Sequence, residues 1–97
     1  MRVLAELFEG LESQTPYGGR AVSWDPVGSA WLKPEPRRRR ERSEAGGVRA
    51  VEVMTAEARA DARLTTGRML RFGGADWGIR GVETVGGQAV LNLERMS

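Results

Sequence analysis

Five arginines fall within six consecutive positions, Arg37-Arg38-Arg39-Arg40-Glu41-Arg42, in a chain of 97 residues whose formal net charge is only +2. A guanidinium is a planar, permanently charged fork of donors that pairs with phosphate or carboxylate oxygens. Such a run can contact a nucleic-acid backbone without reading bases. It can equally bridge to an acidic patch on a protein partner or a neighbouring subunit. The third reading is a solvated charge run with no partner. Glu41 and Glu44 are interspersed with the arginines, which weakens a purely phosphate-directed reading.

No other set of residues offers comparably defined chemistry. Histidine and cysteine are both absent, which removes the commonest general base, the commonest metal ligand and every disulfide or thiolate site. Lys33 is the single lysine, and the thirteen carboxylates show neither a distinctive pair nor a calcium-loop spacing. No catalytic residue, metal or cofactor is expected. Gly18-Gly19, Gly46-Gly47, Gly73-Gly74 and Gly86-Gly87 continue into neither a Walker nor a dinucleotide fingerprint, and they read as turns. Trp24, Trp31 and Trp77 could stack on exposed bases. A small barrel with six aromatic residues has more need of them in its core or at a subunit interface.

The elements that must position these residues are short strands, since thirteen glycines favour a turn-rich architecture over a helical bundle. Residues 3–11 fit both a helical stripe (Val3, Leu4, Leu7, Phe8, Leu11) and one face of a strand (Val3, Ala5, Leu7). Thr15 to Arg20 is a turn, with Pro16 fixing φ. Strands are predicted at 21–25 and 27–33, broken at Pro26, which marks an edge or a bulge. Residues 36–47 are expected as a flexible basic loop between Pro34-Glu35-Pro36 and Gly46-Gly47.

Beyond that loop, alanine-rich residues 52–64 have high helix propensity. Their apolar and charged positions nevertheless alternate strictly, and the alternation predicts a strand with small alanines on its inner face. Residues 69–72, 76–85 and the segment after Gly86-Gly87 form a meander of two hairpins. The fold class is therefore mainly β: a small antiparallel β-barrel of about six strands with a long basic loop between its middle strands. One domain over residues 1–97 is expected. No stretch approaches the roughly 18 to 20 apolar residues that span a bilayer. Glu6 and Glu9 interrupt the N-terminal apolar run that a signal peptide needs. Synthesis in the cytoplasm without membrane association is expected.

Three ordered segments carry a family resemblance. Tyr17-Gly18-Gly19 is followed by Trp24, then by Ala30-Trp31-Leu32-Lys33-Pro34-Glu35. Near the end comes Gly67-Arg68-Met69-Leu70-Arg71-Phe72-Gly73-Gly74-Ala75-Asp76-Trp77-Gly78-Ile79. In this combination and order the chain resembles the phage head–tail joining proteins, the head-closure or stopper proteins of tailed phages and gene transfer agents. Arg68 and Met69 stand in swapped order relative to that family. Thr15-Pro16 occupies the place where Asp-Gly is common there, and Ala56 to Leu64 that of an apolar strand.

The resemblance implies a small β-barrel that assembles into a homo-oligomeric ring of roughly twelve copies. That ring would sit between the portal or adaptor ring of the head and the tail terminator or tail tube. It would close a channel of packaged double-stranded DNA and offer the tail a docking platform. The location implied is the neck of a virion or phage-like particle, after assembly in the bacterial cytoplasm. Arg37, Arg38, Arg39, Arg40 and Arg42 then become the contact to DNA or to an adjacent ring. Two rival readings are a free-standing small-barrel nucleic-acid-binding protein, using the same arginines, and another tail ring such as a tail terminator.

Overall fold

Valine, leucine and tryptophan at alternate positions, punctuated by glycine pairs, fold into seven strands, all paired antiparallel. They are β1 (Val3–Gln14), β2 (Arg20–Pro34), β3 (Arg38–Glu44), β4 (Gly47–Arg59), β5 (Met69–Phe72), β6 (Ala75–Val85) and β7 (Gln88–Arg95). The structure is a computed structural model, and it describes residues 1–96. The strand order is β2-β1-β5-β6-β7-β4-β3, and a further pairing of β2 with β4 closes six strands into a ring, leaving β3 outside it. The small barrel-like fold expected from the sequence is present.

The seam of the ring lies where β4 is thinnest. Leu32 of β2 pairs with Ala58 and Pro34 pairs with Ala56, so alanine lets the two backbones approach over the core. Across the other edge of β4, Ala56 faces Leu91 and Ala58 faces Ala89. These inner positions join Leu7, Leu70, Trp77, Ile79 and Leu93 in one core cluster. Trp77 is fully buried and stacks on Phe72 at 6.1 Å between ring centroids. Its buried indole N–H has no hydrogen-bond partner among the described residues.

Several boundaries differ from the sequence expectation. Residues 3–11, which fit two patterns, are strand, and the strand continues to Gln14 because β2 pairs with it along its whole length. The predicted break at Pro26 is not a break. β2 runs through it, and the register slips between Leu7 and Phe8, whose partners are Gly28 and Pro26, so Val27 is the extra residue of a bulge. The strand predicted over 52–64 instead begins at Gly47 and stops at Arg59. It stops because Asp61 turns the chain: its Oδ1 accepts the Arg63 backbone N–H at 2.9 Å. Arg63 then donates from Nη2 to the Ser29 carbonyl at 3.1 Å, which pins this turn against the bulge. Ala62 accordingly points to solvent, while Leu64 returns to the core.

The largest correction concerns residues 36–47. They were expected as a flexible loop, but they hold β3 and its turn into β4. Pro34 and Pro36 interrupt the line without ending it, because the Glu35 N–H still donates to the Thr55 carbonyl at 2.9 Å. β3 therefore continues the path of β2 along the same edge of β4. The valines Val48, Val51 and Val53 give it a strand partner.

Two arms extend beyond the ring. One is the distal half of the β1–β2 ribbon, since β1 meets β5 only at residues 6–8. The other is the β3–β4 hairpin, because β7 accompanies β4 only from Val53 onward. The molecule measures 45 × 31 × 25 Å with a Cα radius of gyration of 14.6 Å. A compact chain of this length would have about 12.5 Å.

Candidate functional site

The strand geometry of β3 divides its arginines between two faces, because side chains alternate. Arg38, Arg40 and Arg42 share one face, opposite Val53, Val51 and Arg49, while Arg39 lies on the other face opposite Glu52. A flexible loop could have gathered all five guanidinium groups on one phosphate backbone. This hairpin does not.

Two of the five are anchored to the barrel. Arg42 pairs with Glu94, which is only 4% exposed although it occupies an outward register position on β7. Arg80 approaches the same carboxylate at 3.9 Å. Arg37 pairs with Glu52 at 3.5 Å, and its guanidinium lies 5.4 Å from the centre of the Trp77 ring. Arg95 bonds to Glu52 from the barrel side at 3.1 Å. Arg42 and Arg37 thus fasten the hairpin at two points on opposite faces. Among the described residues Arg38, Arg39, Arg40 and Arg49 make no ion pair, and they are the charges left available to a partner.

Two open grooves flank the hairpin. One, of about 530 Å³, is lined by Arg39, Arg49, Glu52 and Arg95 among others. The second, of about 180 Å³, runs between Arg38, Arg40, Arg80, Asn92 and Glu94. Both are shallow and cationic with a carboxylate in the wall, which suits an extended partner carrying separate negative charges.

The remaining sequence-predicted residues do not gather at this site. Phe72, Trp77 and Ile79 build the core. Gly67, Gly73 and Gly74 take positive φ at turns, and the Gly67 N–H donates to the Ile79 carbonyl at 3.0 Å. Gly18 and Gly19 close the β1–β2 turn, where the Thr15 hydroxyl accepts the Gly19 N–H at 3.0 Å. Tyr17 stands on that turn, 97% exposed. Pro34 pairs at the seam. Of the three tryptophans expected in a core or an interface, only Trp77 is in the core. Trp24 is half-buried and packs over Gly10, and Trp31 is 59% exposed opposite Leu4.

Sequence reasoning missed Glu52, Glu94, Arg49, Arg80 and Arg95. Arg49 was accessible in principle: Gly46-Gly47 followed by alternating valines is a hairpin signal, and it sets Arg49 beside Arg42. Glu94 had no local signal, since it becomes buried only when β3 and β6 arrive from distant positions.

No family model matches the chain, and no curated protein matches it by sequence. Among solved structures, a chain of the virion of native gene transfer agent (GTA) particle superposes with a TM-score of 0.72. The match covers 97% of this chain and 94% of that chain, at 18% sequence identity. At that identity the likeness establishes a shared fold over essentially the whole length of both chains.

Proposed function

We propose that this chain is a structural, non-enzymatic component of a phage or phage-like particle, namely a head-closure subunit. In this reading copies form a ring between the portal or adaptor and the tail. The ring closes the DNA channel and carries the tail docking surface. The observation that carries the reading is the whole-length fold correspondence with a chain of a gene transfer agent virion. Two features agree with it: the ordered Tyr17-to-Trp24, Ala30-to-Glu35 and Gly67-to-Ile79 segments, and two projecting arms suited to contact between copies.

The test is deletion of the gene in a producing cell, followed by microscopy of the particles. DNA-filled heads that lack tails and lose their DNA are the expected result, and the tagged protein should map to the neck. Intact tailed particles would overturn the reading, and a position at the tail end of the neck would reassign the chain to a tail terminator.

One observation favours a second reading. Four hairpin arginines that make no ion pair among the described residues suit a free-standing nucleic-acid-binding protein. Such a protein would bind duplex DNA tightly as a purified monomer, which a ring subunit would not.

A further inference from the structure

We infer that the arginine hairpin of one copy pairs, edge to edge, with the acidic β1–β2 ribbon of the next copy, so that the sheet continues across the subunit boundary. The inference rests on the ring reading above and names the partner of the hairpin within it.

Both arms carry unpaired backbone. Among the described residues β3 bonds only to β4, leaving its other edge free from Arg38 to Glu44. β2 meets β4 only at Leu32–Pro34, and the Arg63 turn covers the stretch near Ser29, so the edge of β2 from Arg20 to about Val27 has no strand beside it. Open edges of this length are templates for another strand. Both arms also expose apolar side chains: Leu11, Val22 and Tyr17 on the ribbon, and Val48 on the hairpin.

Charge selects which edges meet. Ribbon residues 9–25 hold three carboxylates (Glu9, Glu12, Asp25) and one arginine, whereas hairpin residues 37–53 hold six arginines and three glutamates. A hairpin paired with its own copy would set arginine against arginine, and like charges directly opposite are destabilising. Ribbon against hairpin brings Asp25, on the edge strand itself, toward the arginines of β3, with Glu9 and Glu12 one strand behind it on β1, where they already face Arg68 and Arg20. Because two different surfaces meet, this contact is head to tail, the geometry that generates rings when the rotation closes. Duplex DNA fits less well: Arg39 stands on the face opposite Arg38, Arg40 and Arg49, so one phosphate backbone would meet at most three of the four.

The chain has no cysteine, so single cysteines report proximity cleanly. Ser23→Cys on the β2 edge and Ser43→Cys on β3 are prepared separately, mixed at high concentration and treated with a short bismaleimide. Cross-linking is expected between the two variants and not within either, and a chain bearing both should give a ladder. R39E with R40E should cut the yield by about tenfold or more, and adding Glu12→Lys with Asp25→Lys should restore it, as expected for a charge pair. Circular dichroism checks that each variant is folded.

Same-site products, or no product at any concentration, would overturn the inference. So would arginine substitutions that leave cross-linking intact and abolish only DNA retention, which would assign the hairpin to DNA. A failed cross-link with the chain still mapped to the neck removes this contact alone. A chain absent from the neck removes the head-closure reading instead.

Discussion

Glu94 occupies an outward register position on β7, yet its carboxylate is almost wholly removed from solvent by Arg42 of the hairpin and Arg80 of the wall. Arg42 itself keeps 36% of its side chain exposed, so solvent screens the pair and its value falls well below that of a fully buried bridge. Glu94→Gln should therefore cost about 1–2 kcal/mol in urea denaturation. It should also speed tryptic cleavage within residues 37–42, because the hairpin loses one of its two tethers. Unchanged stability and cleavage would mean that Glu94 does not hold the hairpin.

Asp61 gives a pH signature at the same scale. A side-chain hydrogen bond from Arg63, and then the Arg63 backbone N–H, hold its pKa below the usual carboxylate range. A folded-state pKa below the unfolded one makes the contribution complete above about pH 4 and lost as pH falls through the folded value. Asp61→Asn should flatten the acid limb of the stability profile and leave the shape near neutrality unchanged. An identical acid limb in the variant would show that the turn is not held by this charge.

At the scale of elements, the turns separate glycines that are required from glycines that are tolerated. Gly73 and Gly74 both take positive φ, +61° and +76°, in the two-residue turn between β5 and β6. Alanine at either should cost about 1 kcal/mol. Gly46 has no positive φ and open space around it, so Gly46→Ala should be near neutral in the same denaturation assay. The β5–β6–β7 meander was legible in the sequence because each of its signals is local: paired glycines between alternating runs. The inner face of β4 was legible for the same reason. Its end was not, because the alternation ran on through Ala60 and Ala62, and only the Asp61–Arg63 hydrogen bonds reverse the chain. β3 was illegible for a different reason. Consecutive arginines have no apolar period, and their strand conformation is imposed by the valines of β4 on one side and by Glu94 beneath. The concentration of charge was thus legible in the sequence, and its strand conformation was not.

For the whole molecule, the decisive quantity is how much of that charge a single copy can bring to a polyanion. Among the described residues Arg37 and Arg42 are committed to Glu52 and Glu94, which leaves Arg38, Arg40 and Arg49 on one face and Arg39 on the other. Neutralising Z phosphates gives a log–log salt slope of about −0.9 Z on duplex DNA, so an isolated copy using all four would show roughly −4 at most. Fewer charges reach one duplex when they point to opposite faces, so a shallower slope and weak affinity are expected from fluorescence anisotropy with a short duplex across salt concentrations. A ring changes this without any change in the chain, since each added copy repeats the same charges around one axis. If the hairpin pairs with the neighbouring ribbon, assembly consumes those arginines and the slope of the assembled form stays shallow as well. Tight, steeply salt-dependent binding by the monomer would instead place DNA on the hairpin directly and favour a free-standing nucleic-acid-binding protein.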